Sequence, residues 1–105
     1  MRRILALAAL LLMPAALAVA GEVSYAGGDG SSVERAIVIK GASGEGEGIA
    51  AEYAWLRQHL PAGSRPARQA LLTRDQRAYD SIDIVLPDGR RQAYYFDITE
   101  FFGRY

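Results

Sequence analysis

The sequence predicts an α+β fold: a two-layer sandwich with one main helix packed on a mostly antiparallel sheet of about four strands, in the order strand-helix-strand-strand-strand. Three observations carry that reading. The run "VERAIVIK" (33–40) has the β-branched content and length of a strand. The run 48–60 has helical spacing and is closed by Pro61 and Gly63. Two alternating runs, "AYDSIDIVL" (78–86) and "QAYYFDI" (92–98), flank the turn tripeptide Pro87-Asp88-Gly89.

Residues 1–20 read as a signal peptide and leave the fold argument. "MRR" supplies the positive start, "ILALAALLLMPAALAVA" the apolar run, and Ala18-Val19-Ala20 a small-x-small cleavage site before Gly21. A retained anchor fits less well. The run from Ile4 to Ala20 is 17 residues long, at the short limit for a span, and Pro14 interrupts it. Cleavage near Ala20 leaves no stable membrane span and places the product in the periplasm or outside the cell. With no cysteine in the chain, a thiol-linked lipid anchor is excluded.

Residues 21–32, "GEVSYAGGDGSS", are Gly- and Ser-rich and read as an N-terminal loop; residues 33–105 form a single α+β domain. In the first strand, Ile37 and Ile39 point one way with Val33 and Arg35. "GASGEGEG" (41–48) then breaks the pattern. In the helix, Ile49, Tyr53, Leu56 and Leu60 fall on a narrow stripe, and Trp55 lies about 120° away at the helical period of roughly 100° per residue. Glu45 and Glu47 sit where the helix dipole favours acids. "SRPAR" (64–68) reads as a linker, "QALLTR" (69–74) as a strand and "RDQR" (74–77) as a turn.

The last turn fixes which residues share a face. Pro87 presets the first corner and Gly89 takes the left-handed position, so a three-residue loop pairs Leu86 with Arg90, Ile82 with Tyr94 and Asp80 with Phe96. One face then carries Ile82, Ile84, Leu86, Tyr94, Phe96 and Ile98. The other carries Tyr79, Ser81, Asp83, Val85, Arg91, Tyr95 and Asp97. A two-residue loop would scramble the apolar face, and register is strongly set where one face is buried. "TEFFG" (99–103) looks like one helical turn stopped by Gly103, with Phe101 or Phe102 folding back onto the core.

Composition excludes several functions. Loss of Arg2 and Arg3 with the signal leaves ten basic residues against twelve acids, which is no footprint for nucleic acid. A small exported domain without cysteine must be held by packing rather than by disulfides. One histidine, His59, cannot build a His-based metal cluster, and no nucleophile or orienting partner identifies it as a general base. The glycine clusters lack the full phosphate-loop context, and Glu45 and Glu47 would repel phosphate. No cofactor is implied. Asp29, with Ser31 and Glu34, is a weak candidate for a hard cation, but one short loop offers too few oxygens, and a turn cap explains the same residues.

Candidate site residues gather on the outer strand face. Tyr79, Arg91 and Tyr95, with Trp55, are amphipathic groups of the kind enriched at interfaces. Asp83, Asp97 and Glu100 are the carboxylates that acid–base chemistry or cation binding would draw on. Ordinary cross-strand pairing accounts for many of the same residues. Three stretches, "YAGGDGSS" (25–32), "GIAAEYAWL" (48–56) and "YYFDITEFFG" (94–103), resemble those of a family of small, exported, uncharacterised proteins of Gram-negative bacteria. The resemblance implies an envelope or secreted location and brings no activity. The resulting expectation is a non-catalytic interaction or binding module that engages an envelope or secreted protein or polymer. The alternative is a small hydrolase or a ligand- or cation-binding protein using the clustered carboxylates.

Overall fold

The computed structural model describes residues 22–105; the expected signal segment, 1–20, lies outside the described residues. Five strands and one helix follow one another as β1 (Ser24–Gly27), β2 (Ile37–Lys40), α1 (Glu45–His59), β3 (Arg65–Arg74), β4 (Arg77–Val85) and β5 (Arg91–Asp97). The sheet order is β1-β2-β5-β4-β3. Only β2 and β5 run parallel, with Ile37 opposite Phe96. The fold is therefore α+β, one helix on a mostly antiparallel sheet, with five strands where about four are expected. Among the described residues, no helix is long and apolar enough to cross a membrane.

The β4–β5 hairpin has the register that its turn dictates. Leu86 N–H donates to the Arg90 carbonyl at 2.8 Å, and Gly89, at φ +91°, donates to the Leu86 carbonyl at 2.8 Å. Ile82 lies opposite Tyr94 and Asp80 opposite Phe96. Asp88 ties the corner by accepting from Arg90 N–H at 3.0 Å and from Arg90 Nε at 2.7 Å. Ile82, Ile84, Leu86, Tyr94, Phe96 and Ile98 are all buried, which is the inner face that alternation assigns.

Three expectations about the strands and loops need correction. Within the segment read as a loop, Ser24–Gly27 pairs with β2 as an edge strand, Tyr25 opposite Ile39. "SYAG" has little strand preference of its own; pairing and the Tyr25 hydroxyl, which donates to the Ala51 carbonyl at 2.7 Å, hold it. The segment read as a linker, 64–68, is mostly strand, because β3 lies at the sheet edge where Pro66 is tolerated, with a register shift between Pro66 and Arg68. The first strand begins only at Ile37, because Arg35 and Ala36 donate back to the Ser32 and Val33 carbonyls in a turn.

The helix is rotated from its expected stripe. Its buried face is Gly48, Ala51, Glu52, Trp55 and Leu56, and Ile49 is exposed. The spacing is helical, but the residues at the centre of the face are small or charged, so side-chain hydrophobicity points to the neighbouring stripe. Small residues bring the helix close to the sheet, and Trp55 fills the layer between them. Its ring meets Phe96 edge-on at 5.8 Å and Tyr94 at 5.9 Å, while His59 stacks on it at 4.0 Å. The His59 Nδ1–H donates to the Trp55 carbonyl at 2.9 Å.

Gly48 has a specific reason. A Cβ there would come within 2.4 Å of the Phe101 ring. Phe101 is 1% exposed, so it is the ring that folds back, whereas Phe102 stays outside. The closing turn is tied to the helix start at both ends: Glu45 N–H donates to the Arg104 carbonyl at 2.8 Å, and Gly103 N–H donates to Glu45 Oε2 at 2.7 Å.

Candidate functional site

The Tyr79–Asp97 end of the outer face of β4 and β5 is occupied by contacts within the protein. Tyr79 lies opposite Asp97, and both are buried. Asp97 accepts from Arg77 Nε at 2.8 Å, from the Thr99 hydroxyl at 2.6 Å and from Thr99 N–H at 3.0 Å. Burial pushes this carboxyl up, but the bonds from Arg77 and Thr99 outweigh burial and hold it below the usual range. Its lone pairs are spent on fixing the strand end. Glu100 accepts from Gly41 N–H at 2.6 Å and so ties the closing turn to the loop after β2. Trp55 belongs to the core and not to this face. Arg91 remains exposed, and Asp83 and Tyr95 are half-buried.

Asp83 and Asp97 do not form a carboxylate pair. Asp83 lies opposite Ala93 and Asp97 opposite Tyr79, a separation of four residues, or about 13 Å along the strands. That exceeds the roughly 5–9.5 Å that acid–base hydrolysis of glycosides uses. Asp29 accepts from Ser31 N–H at 3.0 Å and from the Ser31 hydroxyl at 2.7 Å, which is a turn cap. Glu34 is bonded to Arg74 instead. Among the described residues, no group of three or more His, Cys, Asp or Glu gathers to hold a metal ion.

The structure brings a different pair together. Glu52 lies in the buried stripe of α1, and Asp80 lies on the inner face of β4, in phase with Ile82 and Ile84. Glu52 is 0% exposed and Asp80 is 7% exposed. Neither Glu52 carboxyl oxygen has a hydrogen-bond partner among the described residues. Burial first, then the neighbouring carboxyl of Asp80, push the Glu52 carboxyl up to about 10. At neutral pH it is a carboxylic acid, and its proton can be offered to Asp80. Asp80 was legible as an inward residue, since the Asp80–Phe96 pairing follows from the turn. Glu52 was not, because its stripe is hidden among Gly48 and Ala51.

This pair lies beneath a groove. All ten residues of β3 are exposed, Leu71 to 51%, because the helix covers the sheet only as far as β4. The Tyr53 hydroxyl donates to Gln69 Oε1 at 3.0 Å and bridges the gap between α1 and β3. Toward the helix C-terminus opens a hollow of about 520 Å³, walled by Leu56, Leu60, Pro66 and Ile84, with Tyr53 and Arg57 at its edge. Toward the N-terminus lies a smaller hollow of about 160 Å³, walled by Ile49, Leu71, Phe101 and Phe102, with Glu45 and Asp80 as its acids. No protein-family model, curated protein or solved structure matches the chain.

Proposed function

We propose that the protein is an exported, non-catalytic binding module, working in the periplasm or outside the cell, whose ligand is a small and mainly apolar molecule. The observation that carries this reading is the 520 Å³ hollow between the end of α1 and β3. Small-molecule sites are typically ~300–1,000 Å³, apolar-walled, with a few convergent polar groups. Leu56, Leu60, Pro66 and Ile84 are such walls, and the Tyr53 hydroxyl and Arg57 guanidinium are such groups. The export part of the proposal rests on the signal-like segment, and the non-catalytic part on the separation of Asp83 from Asp97 and the internal bonding of Asp97 and Glu100. Titration of the labelled domain with 1-hexanol, followed by amide chemical shifts, tests it. Saturable shifts at Leu56, Leu60 and Ile84, abolished by Ala62→Trp at the exposed rim, support the groove. Shifts confined to Arg91 and Tyr95, or no saturable shift, defeat it.

A further inference from the structure

We propose that the smaller hollow is a binding site for an organic ammonium group, seated against Asp80, with Glu52 buried behind it, and with its alkyl chain along Ile49, Leu71 and Phe102. The inference deepens the groove reading and depends on it only for the surface concerned. Three observations converge. Asp80 is more than nine-tenths buried, lines the hollow, and receives no hydrogen bond among the described residues apart from the one Glu52 can supply. Glu52, behind it, is fully buried with both carboxyl oxygens lacking a donor. The rest of the wall is mainly apolar, Ile49, Leu71, Ile98, Phe101 and Phe102, with Gln69 and Glu45 as its other polar residues.

The chemistry selects the ligand class. Buried polar groups without partners are rare in native proteins, and each calls for an explanation. An unpaired carboxylate in a poor dielectric attracts a cation strongly. A calcium or magnesium ion would need about six oxygens or several retained waters, and Asp80 and Gln69, with Glu45 already bonded to Gly103 N–H, do not supply that shell. An alkylammonium needs up to three acceptors, which the two Asp80 oxygens and the second lone pair of Gln69 Oε1 can provide, both residues lining the hollow. Its chain replaces water on Leu71 and Ile49, which are otherwise exposed, and the rings of Phe101 and Phe102 favour a nearby cation. Glu45, the other acid of the wall, is already bonded to Gly103 N–H and adds negative field without competing as the seat.

The volume, about 160 Å³, corresponds to about five waters at ~30 Å³ each, which fits a four-carbon amine. The test compares n-butylammonium with 1-butanol, its uncharged counterpart, by amide shifts at pH 7. Expected is saturable butylammonium binding sensed at Leu71, Asp80 and Phe101, at least tenfold tighter than butanol. Asp80→Asn removes that preference, and raising the salt concentration weakens the ammonium but not the alcohol. Equal binding of the two probes, salt-independent binding, or an undiminished preference in Asp80→Asn overturns the inference. Should Asp80→Asn fail to fold, the salt dependence and the probe comparison on the unaltered protein decide alone. Hexanol held in the larger hollow with no ammonium preference here sinks this inference and leaves the groove reading standing. The converse result sinks the groove reading alone.

Discussion

Replacing Glu52 by glutamine should stabilise the protein at neutral pH and leave it unchanged in acid. The carboxyl titrates near its ordinary value of 4.5 in the unfolded chain and at about 10 in the folded one. Below pH 4.5 both states hold the proton, so folding carries no ionisation cost. Between 4.5 and 10 the unfolded state releases the proton while the folded state keeps it, so stability falls as pH rises. The slope is about 1.4 kcal/mol per pH unit, which amounts to about 3 kcal/mol at pH 7. Glutamine keeps the shape without the proton equilibrium. The gain should therefore approach ~3 kcal/mol at pH 7, or at least ~10 °C in Tm for a domain of this size, and vanish near pH 4. Urea unfolding followed by Trp55 fluorescence reads it, since this single tryptophan is 9% exposed and packed in the core. Any cost of burying the amide appears at both pH values, so the difference between them is the measurement. An identical effect of Glu52→Gln at pH 4 and pH 7 would refute the buried-acid assignment.

Three further outcomes follow from the packing. Phe101→Ala should cost about 3–5 kcal/mol, and removal of residues 99–105 should lower Tm at least as far; an unchanged melting curve in calorimetry defeats the latch. Gly48→Val should destabilise by ~1–3 kcal/mol, since Phe101 occupies the space its side chain needs, and pairing it with Phe101→Ala should give less than the sum of the two losses in urea titrations. Asp97→Asn should lower stability at neutral pH and erase part of the acid-induced loss. The Asp97 carboxyl lies below its ordinary value of 3.8 in the folded state, so its contribution is present above that pH and lost as pH falls through the folded value. Parallel pH–stability curves for the variant and the unaltered protein would contradict this.

How much of this was legible depended on whether the chemistry of a segment is local. The β4–β5 hairpin was readable to the residue because Pro87-Asp88-Gly89 admits one loop geometry and only one register buries a continuous apolar face. Phe101 was readable in outline, as one of two rings beside a glycine stop. Ser24–Gly27 was not readable as a strand, because β2 and the Tyr25–Ala51 bond hold it rather than its own composition. The helix phase was misread because hydrophobicity marks Ile49 and Tyr53, while close approach to the sheet demands Gly48 and Ala51. The site suffered most from that rotation. Asp83 and Asp97 share a face without sharing a space, and the buried pair is Glu52 and Asp80, with Glu52 on the helix between the expected stripe and Trp55.

The Glu52–Asp80 pair is hard to explain as architecture. A natural domain has ~5–15 kcal/mol of net stability, and a buried acid that costs about 3 kcal/mol at pH 7 removes a substantial part of it. The fold does not need that acid there. The stripe of Gly48, Ala51, Trp55 and Leu56 would accept an apolar residue at position 52, and β4 already alternates apolar residues inward at Ile82 and Ile84. Elsewhere the described polar groups behave as structural ones do: Asp97, Glu100, Glu45, Asp88 and Asp29 all spend their oxygens on named donors. Rule-breaking confined to one place is the pattern expected of a functional site. That place lies beside the groove, where Asp80 meets the exposed wall of Leu71 and Phe102. A cation arriving there would supply what the pair lacks, converting an uncompensated burial into a neutralised one.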